Sequence, residues 1–381
     1  MSRLTACGFE HSALIDNSGG LWVTGSNLYG QLGIKEQKDP SKLDLIWLEG
    51  ESQRQQRRSS TKQINSLRKV QIYNEIVSVS CGIYFTVCVD TNGDVWSFGR
   101  NENGQLGVGH VNMQIHPTHV RYLQNILLVE CGSYHTVCID GNSELWSFGS
   151  NSHGQLGLGR SCHLVETPTK VDSISDIMEV SCGLHHTICS NYSGELFAFG
   201  SNSRGELALP DTENRNVPTK ITKLQNIVQF KCGDSSSEFL NDKGQVFRSC
   251  LAMHEPGLEQ IKELPEIKMI SGGYVHMMYV DIEGFLWVWG GNSFYQLGVP
   301  YGGFISKPTK NSDFHNVCEL SSGGNHSIIK DSAGLVWVFG SNSMGQLGIN
   351  HYNSPVLPTQ YPADLLEGFG RNPKLLKSAL K

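Results

Sequence analysis

Apolar residues along this chain come in short runs, broken every few positions by Gly, Asp, Asn or Ser. Between residues 117 and 148 the runs are Pro117–Val120, Leu127–Cys131, His135–Asp140 and Glu144–Phe148. Runs of that length bounded by turn residues predict β-strands, because a helix needs about ten residues or more with a 3.6-residue period. The same layout recurs along the chain. A Gly-x-x-His tetrad begins at Gly8, Gly132, Gly183, Gly273 and Gly323, with Phe85 replacing the His after Gly82 and Ser236 after Gly233. The seven starts are spaced 74, 50, 51, 50, 40 and 50 residues apart. Eleven residues after each start stands another Gly (Ser143 in the third unit), three positions behind an Asp or Asn. Asp/Asn-x-x-Gly is the chemistry of a tight hairpin, where the side chain bonds the turn backbone and Gly takes positive φ. An Asn-x-x-Gly-Gln-Leu-Gly segment follows, complete at 27–33, 101–107, 151–157 and 342–348, degenerate at 202–208 and 292–298, and missing from the fifth unit.

Four antiparallel strands per unit, repeated seven times, predict an all-β fold: a seven-bladed β-propeller of four-stranded blades. Taking the Pro-Thr strand as the first of each unit leaves the first blade one strand short. Pro358-Thr-Gln-Tyr361 stands at the matching distance before the next virtual start, so the C-terminal strand is expected to join the N-terminal blade and close the ring. This gives one domain over 1–365, an inserted loop at 35–67 between blades one and two, and a C-terminal tail at 366–381.

Composition narrows the function. Lys and Arg number 30 against 36 Asp and Glu, a formal net charge of -6, which speaks against nucleic acid or a nucleosome as partner. No apolar run approaches the ~18–20 residues of a membrane helix, and the first residues show no secretory leader. A monomer without membrane attachment, cytoplasmic or nuclear, is expected. Cys7, Cys81, Cys131, Cys182 and Cys232 precede the repeat Gly, and Cys88, Cys138 and Cys189 lie seven residues further on; cysteines locked to a repeat phase read as small buried side chains. His11, His135, His186, His276 and His326 could suggest a metal ring, but Phe85 and Ser236 in the same slot point to structural imidazoles bonding turn backbone. Trp22, Trp96, Trp146, Trp287 and Trp337 share one phase with Phe197 and Phe247 and are expected in the core. With no phosphate loop, metalloprotease helix or nucleophile elbow, no catalytic residue, metal or cofactor is expected.

Cys182-Gly-Leu-His-His-Thr187 and Trp146-Ser-Phe-Gly-Ser-Asn-Ser-His-Gly-Gln-Leu-Gly157 resemble the repeat of the regulator of chromosome condensation family. The resemblance covers about residues 3–361 and implies a single seven-bladed propeller. It also implies a protein partner, and as a concrete activity guanine-nucleotide exchange on a small Ran-like GTPase. The family's exchange factors place acidic residues and His in the Gly-x-x-His turns, which Asp234 matches, Glu10 matches in part, and His185 supplements with a polar group. The alternatives are a non-catalytic scaffold for a GTPase, a trafficking factor or a ubiquitin-ligase substrate, and chromatin binding. Plant UV-B receptors built on similar repeats carry Trp after the turn Gly; Phe9, Ile83, Ser133, Leu184, Asp234, Tyr274 and Gly324 stand there in this chain, so light sensing is not expected.

Departures from the repeat single out the remaining candidates. The insertion carries Trp47 as an anchor and a basic run with Arg54, Arg57 and Arg58, an arm suited to an acidic partner surface. Strand alternation places it on the face of the Gly-x-x-His turns, where Phe9, Glu10, Tyr84, Tyr134, His185, Asp234, Tyr274 and Asn325 form an aromatic and polar ring mouth, the expected partner-binding face. The fifth unit, 10 residues short, is expected to weaken its blade or to mark a notch in the rim.

Overall fold

Asp140 shows why each repeat folds as it does. Its Oδ1 accepts the backbone N–H groups of Asn142 (2.9 Å) and Glu144 (3.0 Å), closing the hairpin, and its Oδ2 accepts the Trp146 indole N–H at 2.9 Å. Asp16, Asp90 and Asp281 hold Trp22, Trp96 and Trp287 in the same way. Where the hairpin residue is Asn191 or Asn241, Phe197 or Phe247 replaces the Trp and no indole N–H needs an acceptor. These rings are half-buried rather than sealed in the core as their phase suggested, because the position lies at the blade end, where an indole N–H can reach the hairpin carboxylate.

The computed structural model describes residues 4–34, 63–160, 162–252 and 255–361, and among them every regular element is a strand. The strands form seven four-stranded antiparallel sheets. Blade one comprises Thr5–Cys7, His11–Ile15, Leu21–Ser26 and Gln63–Lys69, and blade two Ile76–Cys81, Phe85–Asp90, Val95–Gly99 and Gln114–His119. Blade seven comprises Val317–Ser322, His326–Asp331, Val336–Gly340 and Thr359–Gln360. No described helix is long and apolar enough to cross a membrane.

Three expectations are corrected. The Pro-Thr strand is the last strand of its blade, not the first of the next: Ser97 pairs with Thr118, and Trp96 with His119. An outer strand is bonded on one side only, so Pro117 can sit there without a missing N–H being felt. The C-terminal strand therefore completes blade seven, where Val338 pairs with Thr359, instead of joining blade one, whose fourth strand is Gln63–Lys69. The inserted residues accordingly fall between the third and fourth strands of blade one, and 63–67 belong to the strand itself. Residues 35–62, with Trp47, Arg54, Arg57 and Arg58, and the tail 366–381 lie outside the described residues. The fifth blade keeps four strands; its third and fourth pair directly out to Ala252 and Glu255, with no Gln-Leu-Gly loop between them.

Ring closure uses a loop Leu and belt hydroxyl, as the other blade junctions do, that between blades five and six excepted. The Leu of each Gln-Leu-Gly loop (Leu32, Leu106, Leu156, Leu207, Leu297, Leu347) is fully buried. At four junctions the loop's last Gly lies over an aromatic ring of the next blade: at Gly107, with φ +68°, a Cβ would fall 2.7 Å from the Phe148 ring. At the closing junction Tyr361 is buried with Leu14 and Leu67 of blade one and Val336, Val338 and Leu347 of blade seven.

A polar belt runs through the same junctions. The first residue after each His slot is Ser or Thr in six blades, and its hydroxyl donates to the carbonyl of the preceding loop's Gln or Glu: Thr86 to Gln31, Thr136 to Gln105, Thr187 to Gln155, Ser237 to Glu206, Ser327 to Gln296 and Ser12 to Gln346, all at 2.7–2.9 Å. Five of these oxygens also meet the previous blade's imidazole Nε2: His11 to Thr86, His135 to Thr187, His186 to Ser237, His276 to Ser327 and His326 to Ser12, at 2.8–3.0 Å. Each hydroxyl proton is committed to a carbonyl, so Nε2 is the donor to the shared oxygen. The histidines are structural, but their partner is the neighbouring blade's hydroxyl rather than their own turn. Burial lowers the pKa to about 3 for His11, His135, His186 and His276, and to about 4 for His326.

The candidate binding face and its notch

The first-to-second turns and the third-to-fourth loops emerge at one end of every blade; the Asp/Asn hairpins and the blade-to-blade links emerge at the other. One face therefore carries the Gly-x-x-His turns, the Asn-x-x-Gly loops and both ends of the insertion, Ile34 and Gln63. The two residues that flank the insertion are thus on the expected face, though by a different route from the one the repeat phase suggested.

Phe9, Glu10, Tyr84, Tyr134, His185, Asp234, Tyr274 and Asn325 all lie half-buried on this face. Phe9 is the hinge of an aromatic cluster, edge-on to Tyr84 at 6.2 Å and to Tyr274 at 5.4 Å. It reaches blade six across blade seven because Gly324 stands between them, where a Cβ would fall 2.6 Å from the Phe9 carbonyl oxygen. Tyr29 packs on Tyr84 at 5.0 Å, and the Arg100 guanidinium lies over both rings. A quarter-turn away His185 stacks between Tyr134 and His153, 6.1 and 4.5 Å from their centroids. Burial, then the neighbouring His153, lowers the His185 pKa to about 4, so His185 is uncharged at neutral pH. Burial raises the pKa of Glu10. The Ser235 hydroxyl donates to Asp234 at 3.0 Å, and Gln296 donates to Asn325 at 3.3 Å.

Reading the turns alone missed Tyr29, Arg100, His153 and Arg204, which come from the loop side of the face. Asn and Gln within each loop are bound inward: Asn101 Oδ1 accepts the Leu106 N–H, and Gln105 Oε1 the Asn103 N–H. That leaves the residue before the loop Gly to face the neighbouring blade's turn, as Tyr29 and His153 do, and as Arg204 does by donating to Ser235 at 3.1 Å. Position within the motif, not residue type, was the available signal.

The junction between blades five and six departs from all others. It has no Gln-Leu-Gly loop and no His, and Met277 replaces the belt hydroxyl. Charged residues occupy two inward repeat positions instead. Glu238 stands where other blades have Ala13, Val87, Val137, Ile188, Met278 and Ile328, and its cross-strand partner Arg248 where they have Val23, Ser97, Ser147, Ala198, Val288 and Val338. Glu238 Oε1 accepts the Tyr279 hydroxyl at 3.2 Å and lies 3.7 Å from Arg248 Nε. Burial pushes the Glu238 carboxyl up to about 7, with Arg248 opposing.

The arrangement is that of a ring mouth with apolar and hydrogen-bonding groups converging from different blades. A family model for the RCC1-like domain matches residues 2–250, well over half of the chain. The chain belongs to the RCC1-like domain family. The regulator of chromosome condensation (RCC1) repeat also matches residues 283–329 and 317–346. Among its relatives, this RCC1-like chain is 32% identical over 252 residues to the probable E3 ubiquitin-protein ligase HERC6 of Homo sapiens, covering 64% of this chain and 23% of that protein. It is 28% identical over 148 residues to the regulator of chromosome condensation of Homo sapiens, 34% of this chain and 35% of the relative. The chain thus spans about a quarter to a third of these relatives. The crystal structure of Prp20p from Saccharomyces cerevisiae, a protein studied for binding Gsp1p and histones, superposes with a TM-score of 0.71 at 18% identity, over 85% of this chain and 81% of that one. That likeness is one of fold.

Proposed function

We propose that this RCC1-like propeller is a protein-interaction module of the cytoplasm or nucleus, working through the Gly-x-x-His face. The supporting observation is the aromatic mouth of Phe9, Tyr29, Tyr84 and Tyr274, flanked by exposed Leu28 and Phe294. Half-buried Tyr and Phe held rigid by their neighbours lose little entropy on binding and bury large area, the combination that dominates protein interfaces. The basic run Arg54, Arg57 and Arg58 enters the chain sequence between two strands of this face, so an acidic element on the partner fits the same side.

Guanine-nucleotide exchange on a small Ran-like GTPase is the second reading, favoured by the family and by Glu10 and Asp234 at the mouth. An exchange factor works by binding the empty GTPase more tightly than the loaded one, and that difference expels nucleotide. Release of a fluorescent guanine nucleotide from Ran and other small GTPases, with binding recorded in the same samples, separates the readings. Accelerated release establishes exchange; binding at an unchanged release rate establishes a scaffold, and neither on any GTPase removes this partner class. If exchange is seen, joint Glu10→Ala and Asp234→Ala replacement is expected to lower it about tenfold, a loss of ~1.4 kcal/mol of differential binding, with no fall in melting temperature. Exchange at the parental rate overturns their role.

A further inference from the structure

We propose that the cleft between blades five and six is a subsite for an acidic side chain next to an apolar one, presented by a partner protein. The inference rests on the reading of this face as a protein-binding surface and assigns the chemistry of one place on it.

At four other junctions the last Gly of the loop covers an aromatic ring of the following blade, as Gly107 covers Phe148. The fifth blade has no such loop, and the ring it would cover is Trp289. What remains is a small cleft, open to solvent, lined by Ser236, Arg248, Tyr274, Val275, Trp289 and Phe304 among others. The Arg248 guanidinium lies 3.7 Å from the Trp289 ring centroid and so takes the place of the absent loop.

Two donors of the cleft, one on Trp289 and one on Arg248, are open to an acceptor. The Trp289 indole N–H is buried and has no partner within the protein. The contact of Arg248 with Glu238 runs through Nε, which leaves its terminal amino groups for a ligand. Two negative groups stand nearby. Glu238 is 1% exposed beneath Arg248, and with its carboxyl pushed up to about 7 it only partly offsets the guanidinium at neutral pH. Asp234 accepts the Ser235 hydroxyl through Oδ2, whereas its Oδ1 and the Glu238 Oε2 are buried without a hydrogen-bond partner. A carboxylate can take both free donors at once, with a charge-assisted bond to Arg248. The rim supplies the apolar half of the site, since Val275 and Phe304 are 45% and 70% exposed.

The test titrates the full chain with acetyl-Ala-Glu-Phe-Ala-amide and its Gln counterpart, following indole N–H resonances by NMR. Trp289→Phe identifies the Trp289 signal. The Glu peptide is expected to move that signal to saturation, with the Gln peptide at least about tenfold weaker. Arg248→Met is expected to erase the preference while the Trp96 and Trp146 resonances stay in place. A Trp289 signal that does not respond, or responds equally to both peptides, overturns the proposal. Should Arg248→Met fail to fold, the peptide pair on the unaltered protein still decides. A failed exchange assay leaves this result untouched, because the titration needs no GTPase.

Discussion

Lowering the pH from 7.5 to 5 is expected to unfold the propeller, and the cause is the polar belt. The belt histidines are neutral in the fold, with pKa lowered to about 3 for four of them and about 4 for His326, against a value near 6.5 in the unfolded chain. A base whose folded pKa is depressed stabilises the fold fully above its unfolded pKa. That contribution is lost as pH falls below 6.5 toward the folded values, because only the unfolded chain takes up the proton. Each imidazole costs about 1.4 kcal/mol per pH unit in that window, and five together about 7 kcal/mol per unit. A total stability of about 5–15 kcal/mol does not survive one to two units of that slope. His185 acts in the same direction. Glu238 opposes them: its raised pKa gives stability that is present below about 4.5 and lost as pH rises through 7, and Glu10 and Glu319, also raised by burial, act with it against the larger set of imidazoles. Urea midpoints measured across this range, with proton uptake on unfolding near pH 5.5, check the claim. An uptake near five protons is expected, and a flat stability profile would refute it.

Tyr361→Ala is expected to cost about 3–5 kcal/mol, the toll of removing a large aromatic side chain from a packed site. Tyr361 is 1% exposed and lies in the junction that closes the ring, against Leu14 and Leu67 on one side and Val336, Val338 and Leu347 on the other. The residue is fixed there by its backbone N–H, which donates to the Val336 carbonyl at 2.9 Å. Tyr361→Phe is expected to be neutral or stabilising, because the buried hydroxyl has no partner within the protein and removing it relieves an unmet desolvation cost. Urea unfolding of the two variants beside the parent checks both parts. Equal losses in Phe and Ala would show that the hydroxyl matters. An Ala variant as stable as the parent would show that the ring does not depend on this contact.

Most of the propeller was legible in the chain because its strands are set by local chemistry. The Asp140 hairpin and the Asn101 and Gln105 loop bonds lie within a dozen residues of themselves, so spacing alone exposes them. The candidate face was legible in half: the turn residues Phe9, Tyr84, Tyr134 and Tyr274 follow the repeat phase, whereas Tyr29, Arg100 and His153 meet them only across blade junctions. Glu238 and Arg248 were visible as charges at positions that are apolar or small elsewhere, but their significance needed Trp289, a residue of another blade.

By itself the sequence determined the number of blades, the strand boundaries near each turn and the missing fifth loop. All of these follow from interactions within one repeat. Only the tertiary structure decided where each blade begins, because the Pro-Thr strand is equally close in sequence to the units before and after it. Hydrogen bonding selects the former, as Ser97 with Thr118 shows. That choice moved the C-terminal strand to blade seven and the insertion into blade one. The belt histidines likewise looked like turn residues until the neighbouring hydroxyls, 50 or more residues away and 314 for Ser12 and His326, came within 3.0 Å. A repeat encodes its own hairpins, while the junction between two repeats exists only once the ring has formed.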